Sequence, residues 1–483
     1  MRATYDRDRE RPFGKTTVGA AMRKAGFGAS NDRNAEALNV GASYQMFGNF
    51  KNFNAAFTPL GSREMKSLFM GFDALDGEYL ASVVAECATV AREGAGAFLE
   101  PRFSIYGRKR DEWGKFATWA RRWNVDEMPG ILLAVQLPRV YPIWRRAFAP
   151  RPFLRAFLLS RRKKVFPGMG AVESFGDMLR NFWQPLFDAA AAADPDDPTY
   201  WILDKIRVLD TVDDESIEDA ADLAGLPAAD AWTSDANPPY AYYLYYMHEN
   251  LARLNGVLLE KKIREAPLLI KPHAGEAGPS HHLASAFLFS DGVSHGINLV
   301  RFFFSSPYLD ENAASQEMRD DAVALQYLYY LAQLPISVSP ISNSELFLKR
   351  APASFAGARR PDDNGGARRY AANPFPKLFK RGLCVALTTD DPLMFHTTPT
   401  PLLEEYATAR HAFALSTVDL CEIARSSCVG AFSEEERADL HSDDAIDCTN
   451  VPLLRLAFRR STLDAEYDFL ESGAGRAAGK SEG

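Results

Sequence analysis

Seven short apolar runs, at 97–105, 130–137, 206–212, 268–273, 293–299, 336–339 and 383–388, alternate with stretches of helical periodicity. A strand that reaches its neighbour only through a helix pairs with it in parallel, so this order requires a parallel sheet covered by helices. Polar residues gather just beyond several of the runs: Asp213-Asp214-Glu215, His273 to Glu276, His295, Ser339 to Asn343 and Asp390-Asp391. Chemistry placed at the carboxyl ends of several strands favours a barrel over an open sheet. The expected fold is α/β, a (β/α)8 TIM-type barrel. Seven runs are one short of eight, so its first strand is expected to be missing or replaced in this chain.

Helical periodicity is read at about 77–92, 111–123, 173–192, 240–258, 281–289, 322–333 and 374–380, with a last long helix over 401–427. Thr400 is its expected N-cap, Pro401 its first residue, and Glu404-Glu405 complement the positive end of its dipole. Residues 1–37 are charged and rich in Gly and Ala without a sustained period, and are expected to be flexible or poorly packed. The barrel is expected over 38–472, interrupted by insertions near 145–170, 304–321 and 350–371. The first insertion carries eight basic residues and no acid between Arg145 and Lys164, which suits a solvated loop or an anionic surface. The tail 473–483 is expected to be disordered.

Composition narrows the function. A formal net charge of -8 argues against broad nucleic-acid binding. Five cysteines without paired spacing suggest a reducing, cytoplasmic setting. The first residues lack the apolar core of a signal peptide, and no run of about 18 apolar residues predicts a membrane-spanning helix. All eight histidines, from His248 to His441, lie in the second half of the chain. Any site built from several imidazoles must draw on that half.

The stretch Pro267-Leu-Leu-Ile-Lys-Pro-His-Ala-Gly-Glu-Ala-Gly278 reads as a buried strand stopped near Pro272, which cannot donate a ladder hydrogen bond. Gly275 and Gly278 permit a sharp turn. An imidazole at His273 can bind a metal, and a carboxylate at Glu276 can move a proton. A capped turn with a satisfied core histidine fits the same residues. Asp390-Asp391-Pro392 follows the last strand; adjacent carboxylates there point different ways, one able to ligate a metal and the other to hold a substrate nitrogen, and an exposed turn has the same sequence. His295 can orient a water or take its proton, or be a buried histidine bonded to backbone. Taken together, a metal ligand, a proton carrier, a water-orienting imidazole and a second carboxylate at three strand ends form a hydrolytic set.

With these motifs the chain resembles the AMP deaminase family, the adenylate-specific branch of the adenosine deaminase-like metal-dependent hydrolases. The resemblance rests on Glu100-Pro-Arg-Phe-Ser-Ile-Tyr-Gly-Arg108, Gln136-Leu-Pro-Arg139, Val212-Asp-Asp-Glu-Ser216, Lys271-Pro-His-Ala-Gly-Glu-Ala-Gly278, Ser294-His-Gly-Ile-Asn-Leu299, Ser339-Pro-Ile-Ser-Asn343 and Leu387-Thr-Thr-Asp-Asp-Pro-Leu393. It implies a barrel hydrolase that converts AMP and water to IMP and ammonia, one Zn2+ per subunit, and a homo-oligomer, tetrameric in the family. It implies His273 and Asp390 as zinc ligands and Glu276 as the proton donor to N1 of the purine. It further implies that His295 orients and deprotonates the attacking water and that Asp391 holds N7. Two departures stand out. The family's first strand ends in an H-x-H pair that supplies two more zinc ligands, and these 483 residues contain no H-x-H. His281-His282 is no substitute, since adjacent residues on a helix point about 100° apart. Where the family reads F-N-x-K-Y-N-P, with a lysine that contacts the 5′-phosphate, this chain reads Phe53-Asn-Ala-Ala-Phe-Thr-Pro59, with Ala56 uncharged and Lys51 or Arg63 nearby. An incomplete gene model and a degenerate paralogue are the two explanations. The second admits a non-catalytic, nucleotide-binding partner of an active deaminase.

Overall fold

The computed structural model describes residues 10–13, 16–24, 68–69, 71–145, 171–212, 215, 219, 225–277, 279–300, 316–348, 370, 372–431 and 451–472. Lys51, Ala56, Arg63, Asp213, Asp214, Gly278, most of the three insertions and the tail 473–483 lie outside these residues. The chain divides into two compact units, Met1–His273 with Leu393–Thr400, and Ala274–Pro392 with Pro401–Gly483.

In the first unit, part of the stretch expected to pack poorly is folded. Strand β1 (Pro12–Phe13) pairs antiparallel with β2 (Thr16–Thr17), and a helix follows at Val18–Lys24. The Thr17 hydroxyl accepts the Ala20 N–H at 3.2 Å and caps that helix. Val18, Ala21 and Met22, spaced i, i+3, i+4, are buried in one cluster with Leu68 and Tyr79. A stripe of three apolar residues inside a charged segment is enough for about two turns of packed helix, which the wider composition concealed.

The sheet of this unit is parallel, in the order β3 (Arg102–Ser104), β4 (Leu133–Gln136), β5 (Ile206–Asp210), β6 (Leu269–Ile270). The helix Glu112–Arg122 buries Trp113, Phe116, Ala117 and Ala120 on one stripe, against Phe103 of β3. Phe72, Phe103, Phe116 and Trp119 have ring centroids 5.1–6.2 Å apart, and each such pair adds about 0.5–1.5 kcal/mol to the burial of its rings. The long helix Tyr240–Glu260 buries Tyr240, Tyr243, Leu244, Met247, Leu251, Leu254 and Leu258, a continuous 3.6-residue stripe that begins at Tyr240, which bonds to His273.

The second unit carries a four-stranded parallel sheet, β7 (His273–Ala274, of which Ala274 is in this unit), β8 (Val293–His295), β9 (Ile336–Val338) and β10 (Val385–Leu387). The expected strand 268–273 is thus two pieces, β6 and β7, parted at Lys271-Pro272 where proline interrupts the donors. The expected strand 293–299 stops at His295 and turns into a 3-10 helix, Ile297–Leu299, because His295 and Gly296 both take positive φ. The helix expected from 322 begins at Gln316, so 316–321 belong to it and not to an insertion; their polar turns carry no apolar stripe by which to see them. The long helix expected over 401–427 is two, Pro401–Phe413 and Thr417–Ala431. Ala414 at φ +54 breaks it, and Ser416 with Asp419 recaps the second piece: Asp419 N–H donates to the Ser416 hydroxyl and Ser416 N–H donates back to the Asp419 carboxylate at 2.7 Å. The α/β class with parallel sheets read from the alternation holds in both units. Among the described residues no helix is long and apolar enough to cross a membrane.

Candidate active site

His273 ends the first unit, one turn of chain beyond β6. Its ring is held from behind. Nδ1 lies 2.9 Å from Oδ2 and 3.2 Å from Oδ1 of Asp210, and the His273 N–H donates to Oδ1 at 3.0 Å. Asp210, the last residue of β5, has no solvent exposure. Arg102 on β3 places Nη1 2.8 Å from Oδ2 of Asp210, and donates to the Lys271 carbonyl at 2.9 Å. Burial alone would push the Asp210 carboxyl up, but His273 and Arg102 outweigh it and hold the carboxyl well below the usual carboxylate range. The Tyr240 hydroxyl donates to the His273 carbonyl at 2.7 Å, and the Tyr240 ring lies under the Arg139 guanidinium, 5.0 Å from its centroid. The first unit therefore fixes both the backbone and the ring of His273, and the ring contact turns Nε2 away from the carboxylate.

Glu276, His295, Asp390 and Asp391 belong to the second unit. Gly275 turns the chain at φ +68, where an added Cβ would meet Leu283 at 2.6 Å. Glu276 follows, and its Oε1 lies 3.5 Å from Nε2 of His295, itself buried at the end of β8. The other ring nitrogen, Nδ1, lies 3.0 Å from the Asn343 amide nitrogen. Ser342, the residue before, donates its hydroxyl to Oδ2 of Asp390. Ser339 and Thr388 pair hydroxyl to hydroxyl at 2.8 Å, which ties the turn beyond β9 to the end of β10. The turn Pro340–Asn343 is anchored in its own right, since the Ile341 N–H donates at 3.2 Å to the fully buried carboxylate of Glu405. His295 and Asp390 sit at φ +73 and φ +54, a region few non-glycine residues adopt. Asp391 is half-buried; burial, reinforced by the charge of Asp390, pushes its carboxyl well above the usual carboxylate range.

The structure thus brings Glu276 to His295, and one turn, Ser339–Asn343, to both His295 and Asp390. The sequence marked that turn without a role for it. Asp210 is not among the residues the sequence singles out, although an acid closes the apolar run Ile206-Arg-Val-Leu-Asp210; the acids that stand out there are Asp213-Asp214-Glu215, three residues on. Glu405 was read as a dipole charge, and is instead the buried anchor of the Ser339–Asn343 turn.

The sequence profile of the AMP deaminase family matches residues 28–358 and 361–475. The chain belongs to the AMP deaminase family. The match starts at 28 and not at about 38, so part of the stretch expected to lie outside the family falls within it. The chain is 37% identical to AMP deaminase 3 of Rattus norvegicus over 451 residues, 91% of this chain and 50% of that protein. It is 34% identical to AMP deaminase 1 of Homo sapiens over 455 residues, 92% of this chain and 52% of that protein. It is 36% identical to AMP deaminase of Schizosaccharomyces pombe over 442 residues, 90% of this chain and 45% of that protein. The chain spans about half the length of these curated relatives.

Proposed function

We propose that this chain carries the deaminating centre of an AMP aminohydrolase, which replaces the 6-amino group of AMP by water to give IMP and ammonia. The observation that carries the reading is the Glu276–His295 pair, 3.5 Å apart, inside a family whose members bear that activity in their names. Glu276 gives a proton to N1 of the purine, which makes C6 electron-poor. His295 orients the attacking water and takes its proton at Nε2. Asp391 holds the base at N7. A proton carrier placed this way contributes about 10²–10⁴-fold. The proposal includes the barrel fold, supported by the parallel order of both sheets.

Two residues have the chemistry of zinc donors. The carboxylate behind Nδ1 of His273 is the arrangement that aims a ligating imidazole, and the Ser342 hydroxyl on Oδ2 of Asp390 leaves that carboxylate its other oxygen. When bound, zinc supplies Lewis acidity that lowers the pKa of water to about 7. Zinc takes four donors. His273 and Asp390 fit it, and the family's H-x-H pair does not occur in these 483 residues.

The test is ammonia and IMP release from AMP by the purified 483-residue chain with zinc supplied. Slow turnover that falls by a further factor of about 10²–10⁴ in Glu276→Gln supports the reading. Adenosine deaminated as well as AMP would transfer the proposal to a nucleoside, as Ala56 in place of the family's lysine allows. A second reading is a nucleotide-binding partner of an active deaminase. AMP binding without any ammonia, and a stable complex with an active family member, would decide for it.

A further inference from the structure

His273 and His295 each have a polar group set against Nδ1, and the two groups differ in kind. Behind His273 stands a carboxylate, Asp210, pinned at 2.8 Å by Arg102 and bonded to the His273 N–H at 3.0 Å. A carboxylate only accepts, so the neutral ring must carry its proton on Nδ1, and the lone pair stays on Nε2. Behind His295 stands an amide, Asn343, 3.0 Å away and buried. An amide donates through one end and accepts through the other, and the Asn343 oxygen has no hydrogen-bond partner among the described residues. Among the described residues no hydrogen bond holds that oxygen, so either end of the amide can face the ring.

We propose that these partners divide the work between the two imidazoles: Asp210 locks His273 as a one-nitrogen donor, and Asn343 keeps His295 able to hold its proton on either nitrogen. The inference rests on the roles proposed above for Glu276 and His295. While Glu276 is ionised, Nε2–H of His295 faces its carboxylate and Nδ1 accepts from the Asn343 N–H. In the state ready for attack Glu276 carries the proton it will give to N1, His295 carries its own on Nδ1, the amide oxygen accepts it, and Nε2 presents a lone pair to water. The two states differ by one proton taken from solvent. A carboxylate at position 343 would hold His295 in the second state permanently, and an apolar residue would hold it in neither. The Ser339–Asn343 turn, fixed by Glu405 and the Ser339–Thr388 contact, keeps the amide in place while its end groups exchange. Asn343 is a positioning residue, acting on the reaction only through His295.

The test is histidine-selective 15N NMR on the 483-residue, metal-free chain without AMP, with the rings neutral and the signals assigned through His273→Gln and His295→Gln. His273 is expected to show one protonated and one unprotonated nitrogen, and His295 two nitrogens drawn toward a common shift. Asn343→Asp should lock His295 into the His273 pattern, and Asp210→Asn should draw the two His273 nitrogens together. Should Asn343→Asp not fold, Asn343→Gln keeps an amide and should leave the averaged pattern. A single fixed tautomer of His295 in the wild-type chain, or an Asn343→Asp chain with its pattern unchanged, overturns the inference. Because no metal, substrate or turnover is involved, a chain inactive on AMP can still pass. Equally, rapid AMP turnover with His295 locked would sink this inference and leave the proposed reaction standing.

Discussion

His295 and Asp390 are placed at a cost to the backbone. At φ +73 and φ +54 each lies where an L-residue crowds its own carbonyl, about 1–2 kcal/mol above the right-handed region. Asn, Asp and His are the non-glycine types most often found there. The two candidate residues are therefore among the few that suit both the chemistry and the turn, and the conformation aims each side chain away from the strand it ends. A β-branched residue at the same place is far less tolerant. His295→Asn should keep the chain's stability within about 1 kcal/mol, whereas His295→Val should lose about 1–3 kcal/mol, read as a difference in thermal midpoint between the two variants. Equal midpoints would mean that the left-handed turn is not imposed by its surroundings. The identity of these residues was legible in the sequence, because a histidine and an acid stood just beyond apolar runs. Their conformation was not, because positive φ at a non-glycine residue is set by the tertiary surroundings and leaves no mark on its own sequence. Asp210 is illegible for a related reason: an acid paired across the fold with Arg102 and His273 looks, in one dimension, like any polar strand end.

At the scale of elements, the strands were legible and their ends were not. The runs at 130–137 and 336–339 became Leu133–Gln136 and Ile336–Val338. Helix ends are set by caps, and caps are local chemistry that a pattern of apolar residues does not register. The single helix expected over 401–427 failed on this point, since the apolar pattern runs through Ala414 and only the Ser416–Asp419 box shows the restart. The helix Phe175–Ala192 offers a measurable case. Ser174 and Asp177 form a reciprocal capping box, with the Asp177 N–H donating to the Ser174 hydroxyl and the Ser174 N–H donating to the Asp177 carboxylate at 3.0 Å. Ser174→Ala should lower stability by about 1 kcal/mol, seen as a lower urea midpoint. Slight burial would raise the Asp177 carboxyl, but Arg180 and the two backbone donors outweigh it and hold it below its ordinary value. A carboxyl depressed in the folded state gives its stabilisation in full above the unfolded value, near pH 4, and loses it as pH falls through the folded value. Asp177→Asn should therefore destabilise the chain at neutral pH and make no difference in acid below both values. An equal loss at neutral pH and in strong acid would assign the effect to packing and not to the charge.

For the whole molecule the decisive fact is a donor count. The chain belongs to the AMP deaminase family over nearly its full length, and the two residues proposed as zinc donors, His273 and Asp390, stand without an H-x-H pair in these 483 residues. The family fold was legible because its motifs are long and ordered along the chain; the metal site was legible as a deficit because histidines are few and all lie in the second half. The deficit has a thermodynamic signature that needs no substrate. A ligand that binds only the folded chain stabilises it by RT ln(1 + [L]/Kd), about 4.1 kcal/mol at a thousand times Kd. A four-donor site of nanomolar affinity would thus raise the thermal midpoint by several degrees in micromolar zinc, and a chelator would reverse it. Two donors cannot supply that affinity, because each absent ligand leaves the ion to water. The 483-residue chain should show no zinc-dependent rise at micromolar concentration and should lose its zinc on dialysis, with less than one ion retained per chain. Asp210→Asn should then leave the midpoint equally insensitive to zinc, since the partner of His273 can tighten only a site that has formed. A rise of several degrees, with one zinc retained per chain, would mean that residues other than an H-x-H pair complete the centre, and that this chain is a working deaminase in its own right.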